Sequence, residues 1–122
     1  MQVLLVDDEK ELVSTLAERL SLRGIGADWA VSGEEALRMA ERGTYDVAVI
    51  DVKMPKISGI ELEKMLKKKF PKMKFIFMTG HGSENDYRMG SAEAGAKYYL
   101  VKPVDIQVLI QKMKQVLEEQ GG

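Results

Sequence analysis

Five short apolar runs punctuate the chain: VLLV at 3–6, ADWAV at 27–31, VAVI at 47–50, FIFM at 75–78 and YYLV at 98–101. Most are continuous rather than alternating, the pattern of strands covered on both faces in a parallel sheet. The 27–31 run is the weakest and is assigned to a sheet edge. Between the runs, apolar residues recur at helical spacing. Leu12, Leu16 and Leu20 fall four apart, with Val13 and Ala17 beside them. Ile106, Leu109, Ile110, Met113 and Leu117 follow the stripe of an amphipathic helix. Ser32 with Glu35, and Ser58 with Glu61, fit the capping box. Gly24, Gly43 and Gly95 stand where helix C-terminal glycines belong, and Pro71 follows the third helix. The pattern predicts five β-α units. Right-handed crossovers make them an α/β fold, a parallel sheet with helices on both faces.

Composition narrows the function classes. A chain of 122 residues, without a linker or low-complexity tract, is expected to form one domain over 1–122. The absence of cysteine excludes disulfides and thiolate metal sites and fits a reducing cytoplasm. The start lacks the basic-then-apolar pattern of a signal peptide. No apolar run approaches bilayer length, so no membrane role is expected. A net charge of -1 draws the chain neither to nucleic acid nor to an anionic membrane. The basic run EKMLKKKFPKMK at 63–74 reads as a solvated helix end with lysines favoured by the macrodipole, in preference to a nucleic-acid patch. The methionines fall mostly at core spacing and read as core filler. Function therefore rests on a local site.

In open α/β sheets ligands bind beyond the carboxyl ends of the strands. Strand one ends on Asp7 and Asp8, followed by Glu9. Strand three ends on Asp51, strand four on Thr79 and Gly80, and strand five on Lys102 and Pro103. Three carboxylates, a hydroxyl and an ammonium thus converge on one rim. Carboxylates this close raise one another's pKa unless a cation intervenes. Mg2+, which takes one or two carboxylates plus waters and a phosphate, suits that set. Thr79 and Lys102 are then suitable donors to phosphoryl oxygens, one a hydroxyl and one a point charge. Gly80 and Gly82 let the backbone approach closely.

The stretches VDDEK, DVKMP with Gly59 four residues beyond Pro55, MTGHG and LVKP, in this order, resemble the receiver domain of two-component response regulators. The resemblance spans essentially the whole chain and implies a doubly wound, flavodoxin-like (βα)5 α/β fold with a five-stranded parallel sheet in the order 2-1-3-4-5. It implies that Asp51 accepts a phosphoryl group from a sensor histidine kinase or phosphotransfer protein. It implies metal binding by Asp7, Asp8, Asp51 and the backbone carbonyl of Lys53, with Asp8 direct and Asp7 acting through water. Thr79 and Lys102 become the phosphoryl-contacting pair, Tyr99 the switch aromatic, and Pro103 the proline preceded by a cis bond. The domain is then a phosphorylation switch that catalyses only its own modification and its reversal. Its output face is built by the fourth helix, fifth strand and fifth helix, and a homodimer through that face is compatible with the family. Both a stand-alone receiver and the receiver of a longer transcriptional regulator fit the sequence.

Two positions that vary in the family stand beside this site. Lys53 reads either as a phosphoryl partner or as a side chain reaching into solvent. His81, the only histidine, reads as a loop residue modulating access rather than as a ligand. The fourth predicted helix, at 83–94, holds Gly90 in its interior, which either shortens the helix or permits close packing. Other classes fit less well. A flavin module would not place three acids after strand one, where a flavin phosphate must sit. An aspartate-based phosphohydrolase would need its second acid two residues from the nucleophile, and a cap. A receiver-shaped interaction module that works without phosphorylation is the remaining alternative, and the intact residue set argues against it.

Overall fold

The structure, a computed structural model, describes residues 1–80 and 98–119. Along the chain run β1 (Gln2–Val6), α1 (Lys10–Leu22), β2 (Gly26–Ala30), α2 (Gly33–Arg42), β3 (Val47–Asp51), α3 (Gly59–Lys69), β4 (Lys74–Thr79), β5 (Tyr99–Val101) and a C-terminal helix (Ile106–Glu118). The five strands form one sheet in the order β2-β1-β3-β4-β5, and each adjacent pair is parallel. The weak 27–31 run does lie at an edge, shifted by one residue to Gly26–Ala30.

Strand alternation divides the core into two layers. Val3, Leu5, Val47, Val49, Ile76, Met78 and Leu100 face α1 and the C-terminal helix, meeting Leu16, Leu20, Leu109 and Met113. Leu4, Val6, Ala48, Ile50 and Phe77 face α2 and α3, meeting Ala36, Ala40, Leu62 and Leu66. Both faces are therefore dry, which is why the strands read as unbroken apolar runs. Each fully buried leucine or phenylalanine contributes about 1.5–3 kcal/mol, so the two layers dominate the fold.

The helix ends fix how strands hand over to helices. Gly24 adopts φ 77°, with its N–H on the Ser21 carbonyl and the Ile25 N–H on the Leu20 carbonyl, a Schellman stop for α1. Ser58 makes the full capping box: its hydroxyl accepts the Glu61 N–H at 3.2 Å, and Glu61 accepts the Ser58 N–H at 3.3 Å. Asp105 caps the C-terminal helix through the N–H groups of Gln107 and Val108. Two expectations need correction. Ser32 does accept the Glu35 N–H, but the Glu35 carboxylate takes the Val31 N–H at 2.9 Å, one residue before the cap, so the box is not reciprocal. Gly43 ends α2 at φ -120°, extended backbone open to any residue, not the left-handed conformation a C-terminal glycine usually supplies. Gly82, the predicted helix at 83–94 with Gly90, and Gly95 lie outside the described residues. Among the described residues, no helix is long and apolar enough to cross a membrane.

Candidate functional site

The sheet brings its carboxyl-end residues together. The β1–β2 ladder continues one step past β1, where the Asp7 N–H meets the Ala30 carbonyl at 3.2 Å. Asp51 is the last residue of β3, in register with Met78. The Val52 N–H then bonds the Met78 carbonyl, and the Gly59 N–H bonds the Val52 carbonyl, which folds the loop after β3 back on itself. Beyond β5, the Lys102 N–H bonds the Thr79 carbonyl at 2.8 Å. The Lys102–Pro103 peptide is cis, in the position the sequence leads one to expect.

Asp7 and Thr79 are fully buried and Asp51 is nearly so, whereas Asp8 is exposed. The Lys102 ammonium lies 2.6 Å from Asp7 Oδ2, 3.1 Å from Glu9 Oε1 and 3.7 Å from Asp51 Oδ2. Asp7 Oδ1 accepts the Glu9 N–H at 2.8 Å. The Thr79 hydroxyl donates to the Leu100 carbonyl over a long 3.5 Å. Tyr99 is exposed on β5, opposite Phe77.

Burial is the main influence on these charges. It lifts the Asp51 pKa to about 6, helped by the Asp7 and Asp8 charges and opposed by Lys102 and the Lys53 N–H. It also raises Asp7, against the Lys102 contact and the Glu9 N–H. For Lys102 burial works the other way, yet contact with Asp7, the Asp51 charge and the hydrogen bond to Glu9 hold the ammonium above its ordinary pKa. The ammonium thus stays charged, but one cation does not neutralise the acids gathered here.

Two further features fit a hard divalent cation. Asp7, Asp8 and Asp51 each offer a carboxylate oxygen, and the three lie within 4.8 Å of one another. Asp7 Oδ2 is buried and, apart from the ion pair to Lys102, has no aligned hydrogen-bond donor. All-oxygen donors of this kind suit Mg2+.

The structure therefore unites Asp7, Asp8, Asp51, Thr79 and Lys102 on one rim. Lys53 joins them through its N–H on the Asp51 carboxylate. His81 lies outside the described residues. The sequence reading gave Glu9 no role, although its carboxylate reaches Lys102. Its adjacency to Asp7 and Asp8 was a signal, but a partner 93 residues away was not.

A five-stranded parallel sheet with acid, hydroxyl and ammonium groups gathered at its carboxyl edge defines a small doubly wound α/β domain with its candidate site at the strand ends. The chain belongs to the response regulator receiver domain family, whose model matches residues 3–114. The transcriptional regulatory protein PrrA of Mycobacterium tuberculosis is 33% identical over 121 residues, 99% of this chain and 52% of PrrA. The chain thus spans about half the length of this curated relative. A CheY-like receiver domain protein from Methanospirillum hungatei superposes with a TM-score of 0.87 at 33% identity, covering 98% of this chain and 94% of that one. The response regulator TrrA of Thermotoga maritima, solved in complex with Mg2+ and BeF, gives a TM-score of 0.80 at 35% identity, covering 94% and 97%.

Proposed function

We propose that the chain is a phospho-accepting switch in which Asp51 takes a phosphoryl group from a sensor histidine kinase or phosphotransfer protein. The observation that carries this reading is the placement of Asp51: a buried strand-end carboxylate within reach of Lys102 and beside Asp7 and Asp8. An Asp51 oxygen forms the new O–P bond as the P–N bond to the donor imidazole breaks, the leaving nitrogen keeping the electron pair. Lys102, charged and close to Asp51, is placed to take a phosphoryl oxygen. Mg2+ held by Asp7, Asp8, Asp51 and the Lys53 carbonyl would supply the positive charge that lets the acids and a phosphoryl group coexist. Thr79 can exchange its long bond to Leu100 for a second phosphoryl oxygen. Tyr99, beside Leu100 and exposed, is the aromatic that follows Thr79 inward. The readout surface then includes β5 and the C-terminal helix, where Tyr99, Val101 and Val108 are exposed apolar contacts for a partner or a second copy. A cytoplasmic place and a transcriptional output, by analogy with PrrA, complete the reading.

The test is intact mass after incubation with acetyl phosphate, with and without Mg2+, for the wild type and Asp51→Asn. A gain of one phosphoryl group that needs both Mg2+ and Asp51 is expected. No gain under any condition would leave a receiver-shaped interaction module.

A further inference from the structure

Lys102 is shared among three carboxylates that differ in how firmly they can hold it. Asp7 is fully buried and meets the ammonium at 2.6 Å. Glu9 meets it at 3.1 Å, with a side chain 65% exposed. Asp51, the acceptor, stands farthest, at 3.7 Å. Glu9 also occupies the N-cap position of α1, yet its side chain makes no capping hydrogen bond. Its backbone is fixed at both ends: the N–H on Asp7 Oδ1, the carbonyl accepting from Leu12 and Val13. The carboxylate alone can swing, and it is turned across the rim onto Lys102.

We infer that Glu9 is a positioning residue that retains the Lys102 ammonium at the rim of the site and so limits how readily Asp51 receives a phosphoryl group. The inference rests on the phospho-acceptor reading above. Asp7 and Glu9 hold the ammonium close, while Asp51 at 3.7 Å lies beyond hydrogen-bond reach, so the ammonium shifts toward Asp51 when it takes up a phosphoryl oxygen there. In the metal-free site Asp7 cannot release its hold without leaving a buried carboxylate unpaired, a costly state, whereas Mg2+ on Asp7 would take over that pairing. Glu9 can release its hold, because water rehydrates its carboxylate at once. Glu9 is then the contact that still opposes a move of Lys102 toward a modified Asp51. An exposed ion pair is weak, so the effect is a tuning of the site rather than a block.

The decisive comparison is wild type, Glu9→Gln and Glu9→Asp. Glutamine removes the charge. Aspartate keeps the charge at the same place but is one methylene short of Lys102, and at an N-cap it turns to the helix N–H groups instead. Beryllofluoride binding at saturating Mg2+ is followed by 19F NMR, and the Lys102 Nζ resonance is followed in metal-free protein. Circular dichroism checks that each variant is folded. Both variants are expected to bind beryllofluoride about two- to fivefold more tightly than wild type, the range an exposed ion pair can supply. Both should shift the Lys102 resonance. If aspartate behaves as wild type while glutamine binds more tightly, Glu9 acts only by repelling the anion, and the positioning role is wrong. Equal binding in all three proteins overturns it as well. Failure of the wild type itself to bind would instead overturn the phospho-acceptor reading, and this inference with it.

Discussion

The Cα of Gly59 is packed so tightly against the carbonyl oxygen of Asp51 that a Cβ there would overlap the backbone of Asp51 and Val52. The first residue of α3 is thereby pressed directly behind Asp51. Nothing flexible lies in the way, so an added methyl must displace main chain. Gly59→Ala is expected to cost about 1–3 kcal/mol, as overpacking of a close-packed site does. It should also slow phosphoryl uptake from acetyl phosphate, because Asp51 moves with the strain. Urea unfolding and intact-mass kinetics check the two effects, and a stability equal to wild type would refute the close approach.

Asp51 itself should be a burden to the metal-free fold. Burial, and then the Asp7 charge, lift its pKa from 3.8 to about 6. A carboxyl raised by folding favours the fold while protonated, and that contribution is lost as pH climbs through the window from about 4 to 6. Above the window the folded state carries an unfavourable charge. Metal-free Asp51→Asn is expected to exceed wild type at pH 7.5 by about 1–3 kcal/mol, at roughly 1.4 kcal/mol per pKa unit. The gain should shrink toward pH 4. Urea midpoints in EDTA at three pH values measure it.

A third buried acid lies away from the site. Glu63 of α3 is buried, its Oε2 has no hydrogen-bond partner, and burial raises its pKa against the opposing charges of Lys67 and Lys64. The sign is the same as for Asp51: stability falls as pH rises past the ordinary glutamate range and Glu63 must ionise. Glu63→Leu is expected to stabilise the fold by about 1–2 kcal/mol at pH 7.5, the cost of an unsatisfied buried group. The difference should narrow near pH 4.5. A pH-independent difference would assign the effect to packing instead.

The capping box at Ser58 offers a simpler measurement. Ser58→Ala removes a cap and is expected to cost about 1 kcal/mol, while Ser58→Gly costs only a few tenths. Thermal melts of the two variants rank them, and an alanine no worse than glycine would argue against the cap.

Much of this was legible because its causes are local. The strands announced themselves as apolar runs since both faces of the sheet are covered, and the rim of Asp7, Asp8, Asp51, Thr79 and Lys102 followed from which residues end those runs. Strand starts were missed where they are polar: Gln2 and Lys74 belong to β1 and β4 because ladder bonding, not burial, sets those ends. The Ser32 box failed by one residue because Glu35 found the Val31 N–H first. Glu63 was read into a basic solvated helix end, and nothing in its neighbours announces that it faces inward. The grip of Glu9 on Lys102 was illegible for the opposite reason, since it depends on parallel strands bringing distant residues together.

The alternation within β1 carries a last consequence. Val3 and Leu5 belong to one core layer, Leu4 and Val6 to the other, and Asp7 and Asp8 follow directly, one buried and one exposed. The strand works as a ruler with two graduated edges. A single residue inserted into it would exchange both cores and interchange the two acids in one stroke. Length variation in this segment is therefore forbidden twice over, once by folding and once by chemistry, and no compensating substitution at a single position could repair both.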